Sequence, residues 1–426
     1  MNIKEDSRVK QYLSQVCSQV KAKEVIPGIE AELLGHIEDA IGQLHGKSEE
    51  EAIGIVLAHL GEPISLGKKL HQVHKPKTEW SLILLVSMGI LFGLFNLYLM
   101  QRNDLLMSRN PYFERALVWA TVGILLVFAI QWVDYRCTQL IARQIYLGTL
   151  VVWILGFAFR HSVKGKPYLF FGSLQINFVD VTPYILIVAL SGLLSQWDWA
   201  TNKGILKGSL LGILPIVLYF LSNSFAAGIT FSVVFLMLML VSGAKKSYTL
   251  AASCLILGIG IILTGSSSSL TRQLSVFLHP DLDPSGGGWI YTRIAETVHS
   301  ASWWGQGPSL LERNLPAIHT DFILTYVIYA FGWFAGLAVA SMALVLVIRM
   351  FTAATRIRDL HGRLIIFGFA GIFAIQILWN VFTTVGLAPV NGLGFPFISY
   401  GGTQLISQLM AVGLILTVFR RKDMLI

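Results

Sequence analysis

The sequence predicts an all-α, polytopic membrane protein of about ten transmembrane helices, preceded by a small cytoplasmic helical domain. Three observations predict this class. Of the 426 residues, 54% are hydrophobic and 13% are charged, and the mean hydropathy is +0.65, which excludes a soluble globular protein. Apolar runs of roughly 17 to 25 residues recur, the length that an ~30 Å hydrocarbon layer demands of a helix. Lys and Arg are concentrated in alternate connections between these runs.

The first predicted domain, residues 1–77, comprises three short amphipathic helices. Pro27 separates the first two, Ser48 and Glu51 form a capping box at the start of the third, and residues 61–63 end it. Because this region is charged and amphipathic, it does not form a cleavable signal peptide. Apolar residues repeat at helical spacing in three stretches, 9–20, 29–41 and 52–60.

Two segments of this domain carry a local resemblance. Residues 32–39 (Glu-Leu-Leu-Gly-His-Ile-Glu-Asp) and 57–63 (Leu-Ala-His-Leu-Gly-Glu-Pro) resemble the helical prefix domain found ahead of some permeases and membrane regulators. The resemblance implies a docking or regulatory role. A passive cytoplasmic cap fits the same residues, so both interpretations stay open.

The second predicted domain, residues 78–426, contains the membrane spans. Its apolar runs are each long enough for a transmembrane helix. Only residues 242–247 separate the sixth run from the seventh. The runs centre on residues 80–100, 116–132, 145–159, 181–197, 205–221, 226–241, 248–264, 322–348, 364–385 and 403–419.

The distribution of Lys and Arg predicts that both termini are cytoplasmic, because short cytoplasmic loops retain positive charge. Basic residues precede the first span and mark every second loop, whereas residues 386–403 carry no charge. This bias, together with anionic membrane lipid, accounts for the net charge of +8. We therefore predict no nucleic-acid partner.

Asp321 directly follows the first notable segment of the predicted outer side, the long loop of residues 265–320 between the seventh and eighth spans. Loops of this length are usually functional. A lone carboxylate at the mouth of an apolar span is a candidate for chemistry on a membrane-borne substrate. The alternative is that Thr320 or Asp321 merely caps the eighth helix.

The second notable segment, residues 386–402, is uncharged and rich in Gly and Pro. This composition predicts a loop that re-enters the membrane where protein buries it. Its backbone and aromatic residues fit a groove for a lipid chain or a sugar, and Ser399 and Tyr400 are its candidate contacts.

Five segments of the chain occur in the order that a known family has them. They are Phe-Leu-His-Pro-Asp-Leu-Asp-Pro-Ser-Gly-Gly-Gly-Trp (277–289), Trp-Gly-Gln-Gly (304–307), His-Thr-Asp-Phe-Ile (319–323), Pro-Val-Asn-Gly (389–392) and Ser-Tyr-Gly-Gly (399–402). Together they resemble the SEDS family (shape, elongation, division and sporulation), which includes RodA and FtsW. The resemblance implies a bacterial peptidoglycan glycosyltransferase that polymerises lipid II at the outer face of the cytoplasmic membrane. A class B penicillin-binding protein is the implied partner.

The resemblance also implies roles for individual residues. The family's essential Asp corresponds to Asp321, which fits a general base for the attacking sugar hydroxyl. The departing pyrophosphate needs positive charge, and a divalent cation fits that task too, although the sequence shows no ligand cluster and we predict no metal site or cofactor. Candidate substrate contacts, besides Ser399 and Tyr400, are Arg272, Arg293, Arg313, Lys164, Lys166 and His319.

Two stretches depart from the family. Where members carry Gln-Pro-Ser-Glu and then a Lys one turn later, the chain has residues 178–184 (Phe-Val-Asp-Val-Thr-Pro-Tyr), with Asp180 as a partial substitute. Where members carry Gln-Pro-Asp-Leu-Gly-Thr, residues 221–228 contain no carboxylate. These departures leave two alternatives to a polymerase: a non-catalytic scaffold that recruits a cell-wall enzyme, and a flippase for a lipid-linked precursor. The spans offer neutral polar groups such as Asn380, which disfavours a proton-coupled carrier.

Overall fold

The computed structural model describes residues 6–20, 26–44, 48–73, 79–103, 105, 111–158, 162–163, 166–171, 174–308, 315–390 and 392–422. Most of these residues are helical, which confirms the predicted fold class. The chain divides into two compact units, Met1–Glu79 with Val418–Ile426, and Trp80–Thr417.

The described residues before residue 74 form four helices, one more than the sequence predicted. Ser48 caps the third by accepting a hydrogen bond from the backbone N–H of Glu51 (3.4 Å), as expected. Gly61 ends that helix, as predicted, but Pro63 begins a fourth helix that the sequence analysis did not predict. Proline is well suited to a first helical turn, whose N–H groups have no intrahelical partner. The helices are α1 (Ser7–Ser18), α2 (Ile26–Gly42), α3 (Glu49–Leu60) and α4 (Pro63–Val73).

Most of the core of this unit consists of apolar positions that the helical periodicity identified, and Cys17 and Ile53 are buried there as well. Val9, Val16, Ile29 and Ile37 are each at most 1% exposed. The hydroxyl of Tyr12 donates to the carbonyl of Gly61 (3.0 Å) and joins α1 to the end of α3. Burial of these apolar faces stabilises helices that are too short to persist alone.

Helices dominate the second unit, and each predicted span overlaps one of them. They are α5 (Trp80–Arg102), α6 (Tyr112–Trp132), α7 (Arg136–Leu140), α8 (Ala142–Ala158), α9 (Phe178–Leu194), α10 (Asn202–Leu221), α11 (Phe225–Val241), α12 (Lys246–Ser266), α13 (Ser268–Leu278), α14 (Gly287–Ser300), α15 (Ile323–Ala354), α16 (Leu360–Thr384) and α17 (Gly402–Arg421).

Within the described residues, seven helices are long and apolar enough to cross a membrane, namely α5, α6, α10, α12, α15, α16 and α17. The shorter apolar helices are α8, α9 and α11. Helix α16 lies at the centre of the unit, because it packs against α9, α11 and α15 and most of its side chains are buried. Its C-terminal end leads into the Gly/Pro-rich segment.

A small antiparallel sheet lies between α8 and α9 and was not anticipated from the sequence. It comprises β1 (Ser162–Val163), β2 (Lys166–Phe171) and β3 (Leu174–Asn177), with Tyr168 opposite Asn177. Aromatic and aliphatic residues in β2 favour a strand.

The long loop after α12 is largely helical rather than irregular. Helices α13 and α14 are joined by a 3₁₀ turn, Pro280–Leu282, and by the glycines that follow it. The carboxylate of Asp283 holds this turn by accepting from the N–H of Gly287 (3.1 Å) and from Arg272 (3.1 Å). These two donors, in that order, lower the pKa of Asp283 below its usual value.

Helix α15 is broken at Gly332, which has a φ of 89° and a ψ of 171°. The segment 302–307 lies against the break, and its backbone satisfies the groups that the helix cannot. Exposed Trp303 and Trp304 pack on Phe334, with ring centroids 5.1 and 5.2 Å away. The backbone bonds across the break run from Gln306 N to Tyr329 O (2.8 Å), Gly307 N to Ala330 O (3.1 Å), Trp333 N to Ser302 O (3.2 Å) and Phe334 N to Trp303 O (3.4 Å).

Candidate functional site

Asp321 lies in a tight turn immediately before α15, and its side chain is partly exposed. The backbone N–H groups of Thr320, Asp321 and Phe322 all lie within hydrogen-bond distance of the carbonyl of Ala317, at 3.0, 3.1 and 3.3 Å. Ala317 has a φ of 55°, a left-handed conformation that a non-glycine residue adopts only when its surroundings impose it. Helix α15 has Phe322 at its N-cap, and the side chain of Phe322 makes no cap bond.

Three successive carbonyls of this turn each accept a hydrogen bond from a different group. The carbonyl of His319 accepts from Tyr400 N (2.7 Å), and that of Thr320 accepts from Ser399 Oγ (2.6 Å). The carbonyl of Asp321 accepts from Asn380 Nδ2 (3.0 Å). We call these three bonds the carbonyl clamp. It joins the turn to α16 and to the Gly/Pro-rich segment, and fixes the backbone that carries the carboxylate.

The Gly/Pro-rich segment is itself held from several sides. Trp379 Nε1 donates to the carbonyl of Pro389 (3.0 Å), and the N–H of Val390 donates to the hydroxyl of Tyr291 on α14 (3.2 Å). Phe397, with a φ of 63°, donates its N–H to Gln408 Oε1 (2.9 Å). Residues 394–398 are buried among helices, so this irregular backbone is enclosed by protein.

A cavity of about 270 Å³ lies beside the turn. Gly392 lines it and also approaches the carboxylate, since a Cβ atom on Gly392 would lie 3.9 Å from Asp321 Oδ2. Asp321 does not itself line the cavity, but its carboxylate lies next to Gly392, which does. The lining residues are Asp180, Asn223, Ser224, Phe225, Ala226, Ala227, Thr264, Leu270, Gln273, Leu274, Pro389, Val390, Gly392 and Leu393.

Asp180 supplies a second carboxylate to this cavity. It lies in the first turn of α9 and accepts a hydrogen bond from Asn177 Nδ2 (2.5 Å). The sequence left its register open, and the structure places it on the cavity wall. The stretch 221–228, which lacks the family's carboxylate, also reaches the cavity and presents Asn223 and Ser224 there.

Aromatic rings cover the other side of the turn. The ring of His319 lies 4.7 Å from that of Tyr112 and 5.6 Å from that of Tyr400, measured between centroids. Burial lowers the pKa of His319 and raises that of Tyr400, and the nearby Arg115 guanidinium opposes the shift of Tyr400. Arg115 brings to this side of the turn a positive charge that the sequence analysis did not identify.

The predicted cations are not gathered at the cavity in the described part of the chain. Arg272 pairs with Asp283, and Arg293 pairs with Glu296 (3.0 Å) and lies over the ring of Trp289. Neither arginine lines the cavity. Arg313 and Lys164 fall outside the described residues, and Lys166 begins β2.

No group of three or more His, Cys, Asp or Glu residues is placed to bind a metal ion within the described residues. Of the predicted contacts, His319, Ser399 and Tyr400 are brought to Asp321, with Ser399 and Tyr400 N acting on the backbone. Sequence analysis did not place Asn380 beside Asp321, since its only signal is an amide within an apolar span.

Comparison with known proteins identifies a family that this chain matches. The family described as "Cell cycle protein" (FtsW/RodA/SpoVE) matches residues 78–424. The probable peptidoglycan glycosyltransferase FtsW of Trichlorobacter lovleyi is 25% identical over 356 residues, covering 80% of this chain and 93% of that protein. The peptidoglycan glycosyltransferase RodA of Treponema pallidum is 22% identical and covers 80% and 96%.

Two solved structures share the fold. One belongs to a study of polymerisation and crosslinking by a peptidoglycan synthase complex, with a TM-score of 0.69, 23% identity, and coverage of 81% of this chain and 98% of that chain. The other is Thermus thermophilus RodA, with a TM-score of 0.62, 21% identity, and coverage of 81% and 97%.

Proposed function

Because the chain belongs to the FtsW/RodA/SpoVE family of cell cycle proteins, we propose that it is a peptidoglycan glycosyltransferase that polymerises lipid II into glycan strands. It is a multi-pass membrane protein. The proposed reaction takes place at the outer face of a bacterial cytoplasmic membrane, with both termini cytoplasmic, in cell shape, division or sporulation. A class B penicillin-binding protein is the proposed partner that cross-links the strands.

The observation that carries this proposal is the fixed position of Asp321 beside the cavity wall. The carbonyl clamp holds its backbone, and Gly392 of the cavity wall lies next to its Oδ2. A general base must be positioned within reach of the proton that it removes. The clamped backbone supports this role because it holds the carboxylate in one place before any substrate binds.

In the proposed reaction a sugar hydroxyl attacks the anomeric carbon that bears the polyprenyl pyrophosphate. The new glycosidic C–O bond forms as the bond from that carbon to the pyrophosphate oxygen breaks. The hydroxyl proton passes to the carboxylate of Asp321, and the polyprenyl pyrophosphate departs with the bonding electrons. Asp321 contributes because proton removal raises the nucleophilicity of the attacking oxygen in the transition state.

The leaving pyrophosphate gains negative charge, which a nearby cation stabilises. Arg115 is our candidate for that cation, since it lies close to Tyr400 beside the Asp321 turn. Arg272 and Arg293 are weaker candidates, because each is already paired with a carboxylate of its own loop. No step of this proposal requires a metal ion.

Polymerisation of labelled lipid II tests the proposal. The protein would be purified with its class B partner, reconstituted in liposomes, and compared with Asp321→Asn and with Asp198→Asn. Asp198 is a matched control, because it is an exposed carboxylate in the connection that follows the C-terminal end of α9, away from the cavity at its N-terminal end. Removing a general base typically costs about 10²- to 10⁴-fold in rate.

We expect glycan strands from the wild type and from Asp198→Asn, and a loss of polymer with Asp321→Asn. A wild-type protein that binds the partner but makes no polymer would replace the polymerase proposal with the scaffold alternative. Movement of lipid II across the liposome membrane without polymer would favour the flippase alternative.

A further inference from the structure

Asn380 lies near the C-terminal end of α16 and is almost completely removed from solvent, with 2% of its surface exposed. A buried primary amide is costly unless its donors and acceptor are satisfied. Asn380 nevertheless lies in α16, the most central helix of the unit. Its hydrogen bonds therefore indicate what it does there.

The side-chain amide of Asn380 donates to two backbone carbonyls that belong to different segments. Nδ2 lies 3.0 Å from the carbonyl of Asp321 and 3.3 Å from the carbonyl of Leu393. Because both partners are acceptors only, the NH₂ group of the amide must face them. One side chain thus spans the turn that carries Asp321 and the segment that forms the cavity wall.

The two segments joined in this way define the distance between the carboxylate and the cavity. Leu393 and its neighbour Gly392 line the cavity, and Gly392 is also the residue that approaches Asp321 Oδ2. Neither segment belongs to a regular helix, so their relative position depends on contacts such as this one. A change in the bridge would move the base relative to its substrate.

The oxygen of the same amide lowers the stability of the fold. Asn380 Oδ1 is buried and has no hydrogen-bond partner among the described residues. An unsatisfied buried acceptor destabilises the fold, and an apolar side chain at this position would avoid that loss. Unlike an apolar side chain, however, the amide donates hydrogen bonds to the carbonyls of both Asp321 and Leu393.

We propose that Asn380 is a positioning residue that sets the geometry between Asp321 and the cavity wall. It acts through the backbone carbonyls of Asp321 and Leu393 and does not touch the substrate. The kinetic part of this inference rests on the proposed polymerase function. Misplacement of a reacting group by about 1 Å can cost about 100-fold in rate, so the turnover number is the quantity that should respond.

Asn96 provides a matched control within the same unit. It is also an asparagine on an apolar helix, is 0% exposed, and has an Oδ1 without a partner among the described residues. Its Nδ2, however, donates to the carbonyl of Phe92 one turn earlier on α5 (2.7 Å). Asn96 therefore matches the chemistry and burial of Asn380 without joining two loops.

The test compares Asn380→Ala, Asn380→Asp and Asn96→Ala with the wild type in two measurements. Steady-state polymerisation of lipid II gives kcat and KM, and hydrogen–deuterium exchange gives the protection of peptides 315–322 and 392–402. Asn380→Asp keeps the shape of the side chain but removes the NH₂ donors, and it serves if the alanine variant does not purify.

We expect both Asn380 variants to lose about 10- to 100-fold in kcat with KM within about threefold of the wild type. Exchange in the two peptides should accelerate in these variants and stay unchanged in Asn96→Ala. A kcat within about twofold of the wild type would overturn the inference, as would a reduced kcat with unchanged exchange. Equal kinetic losses in Asn96→Ala would also overturn it.

Failure of the proposed function gives a different result. A wild type that makes no polymer removes the polymerase proposal, and the exchange measurement then decides the structural inference alone. Faster exchange in both peptides of the Asn380 variants, with Asn96→Ala unchanged, supports the bridge. Unchanged exchange overturns it.

Discussion

Substitution of Gly332 by Ala should destabilise the membrane unit strongly, because this residue allows α15 to break and dock against residues 302–307. Its φ of 89° costs a residue with a side chain about 1–2 kcal/mol. A Cβ atom there would also overlap the carbonyl of Trp303 and lie 2.6 Å from the backbone nitrogen of Gly305. Separating the two segments would remove two to four of the backbone hydrogen bonds across the break, at about 1 kcal/mol each.

These contributions sum to about 3–6 kcal/mol, a large share of the roughly 5–15 kcal/mol that stabilises a typical domain. Thermal unfolding of the purified protein in detergent should show a melting temperature lower by roughly 10 °C. Gly258→Ala in α12 is the control, since a Cβ atom there meets nothing within 4 Å. Alanine is the better helix former, so that change should be neutral or stabilising by up to about 1 kcal/mol. Equal melting temperatures for the two variants would refute the reasoning.

Three further predictions concern the site itself. Ser399→Ala removes the donor to the Thr320 carbonyl and the acceptor for Phe395 N (2.7 Å). Hydrogen–deuterium exchange of the backbone amides in residues 392–402 should therefore accelerate by about 30-fold or more. Arg115→Gln should lower kcat for lipid II polymerisation by about 10-fold or more, whereas Arg115→Lys should keep most activity. Equal activity of the wild type and both variants would contradict a role for the Arg115 charge in stabilising the leaving pyrophosphate. Burial lowers the pKa of His319 in the folded state, so the imidazole takes up a proton more readily in the unfolded state. The stability that His319 contributes above about pH 6.5 is therefore lost as the pH falls below that value. The melting temperature should therefore drop less between about pH 7 and 5.5 in His319→Gln than in the wild type, and an identical drop would count against this assignment.

The spans were predictable because crossing a membrane imposes a length and a composition that can be read locally. Asp321 attracted attention for a related reason, since a carboxylate at the end of an apolar run is rare and stands out in the sequence. Pro63 misled the analysis because proline is compatible both with the end of one helix and with the start of the next. The sequence could not distinguish these two positions.

The features missed by the sequence analysis depend on tertiary contacts. Gly332 resembles any other glycine in an apolar span, and only the segment 302–307 packed against it makes the break stable. Asn380 is likewise one neutral amide among several until the two carbonyls it bridges are known. Arg115 lies in the first turn of α6, far from Tyr400 in the chain, yet the fold brings the two side chains together. Contacts of this kind join residues far apart in the chain, which local periodicity does not report.

The carbonyl clamp should allow position 321 to carry other side chains without a change in the backbone of the turn. Every bond of the clamp ends on a main-chain oxygen, which all amino acids possess, so the turn should keep its course whichever side chain it carries. Chemical groups of other kinds, including a cysteine labelled with a spectroscopic probe, should therefore be presented beside the same wall of the cavity. The site could then report on substrate arrival in a protein that no longer turns it over.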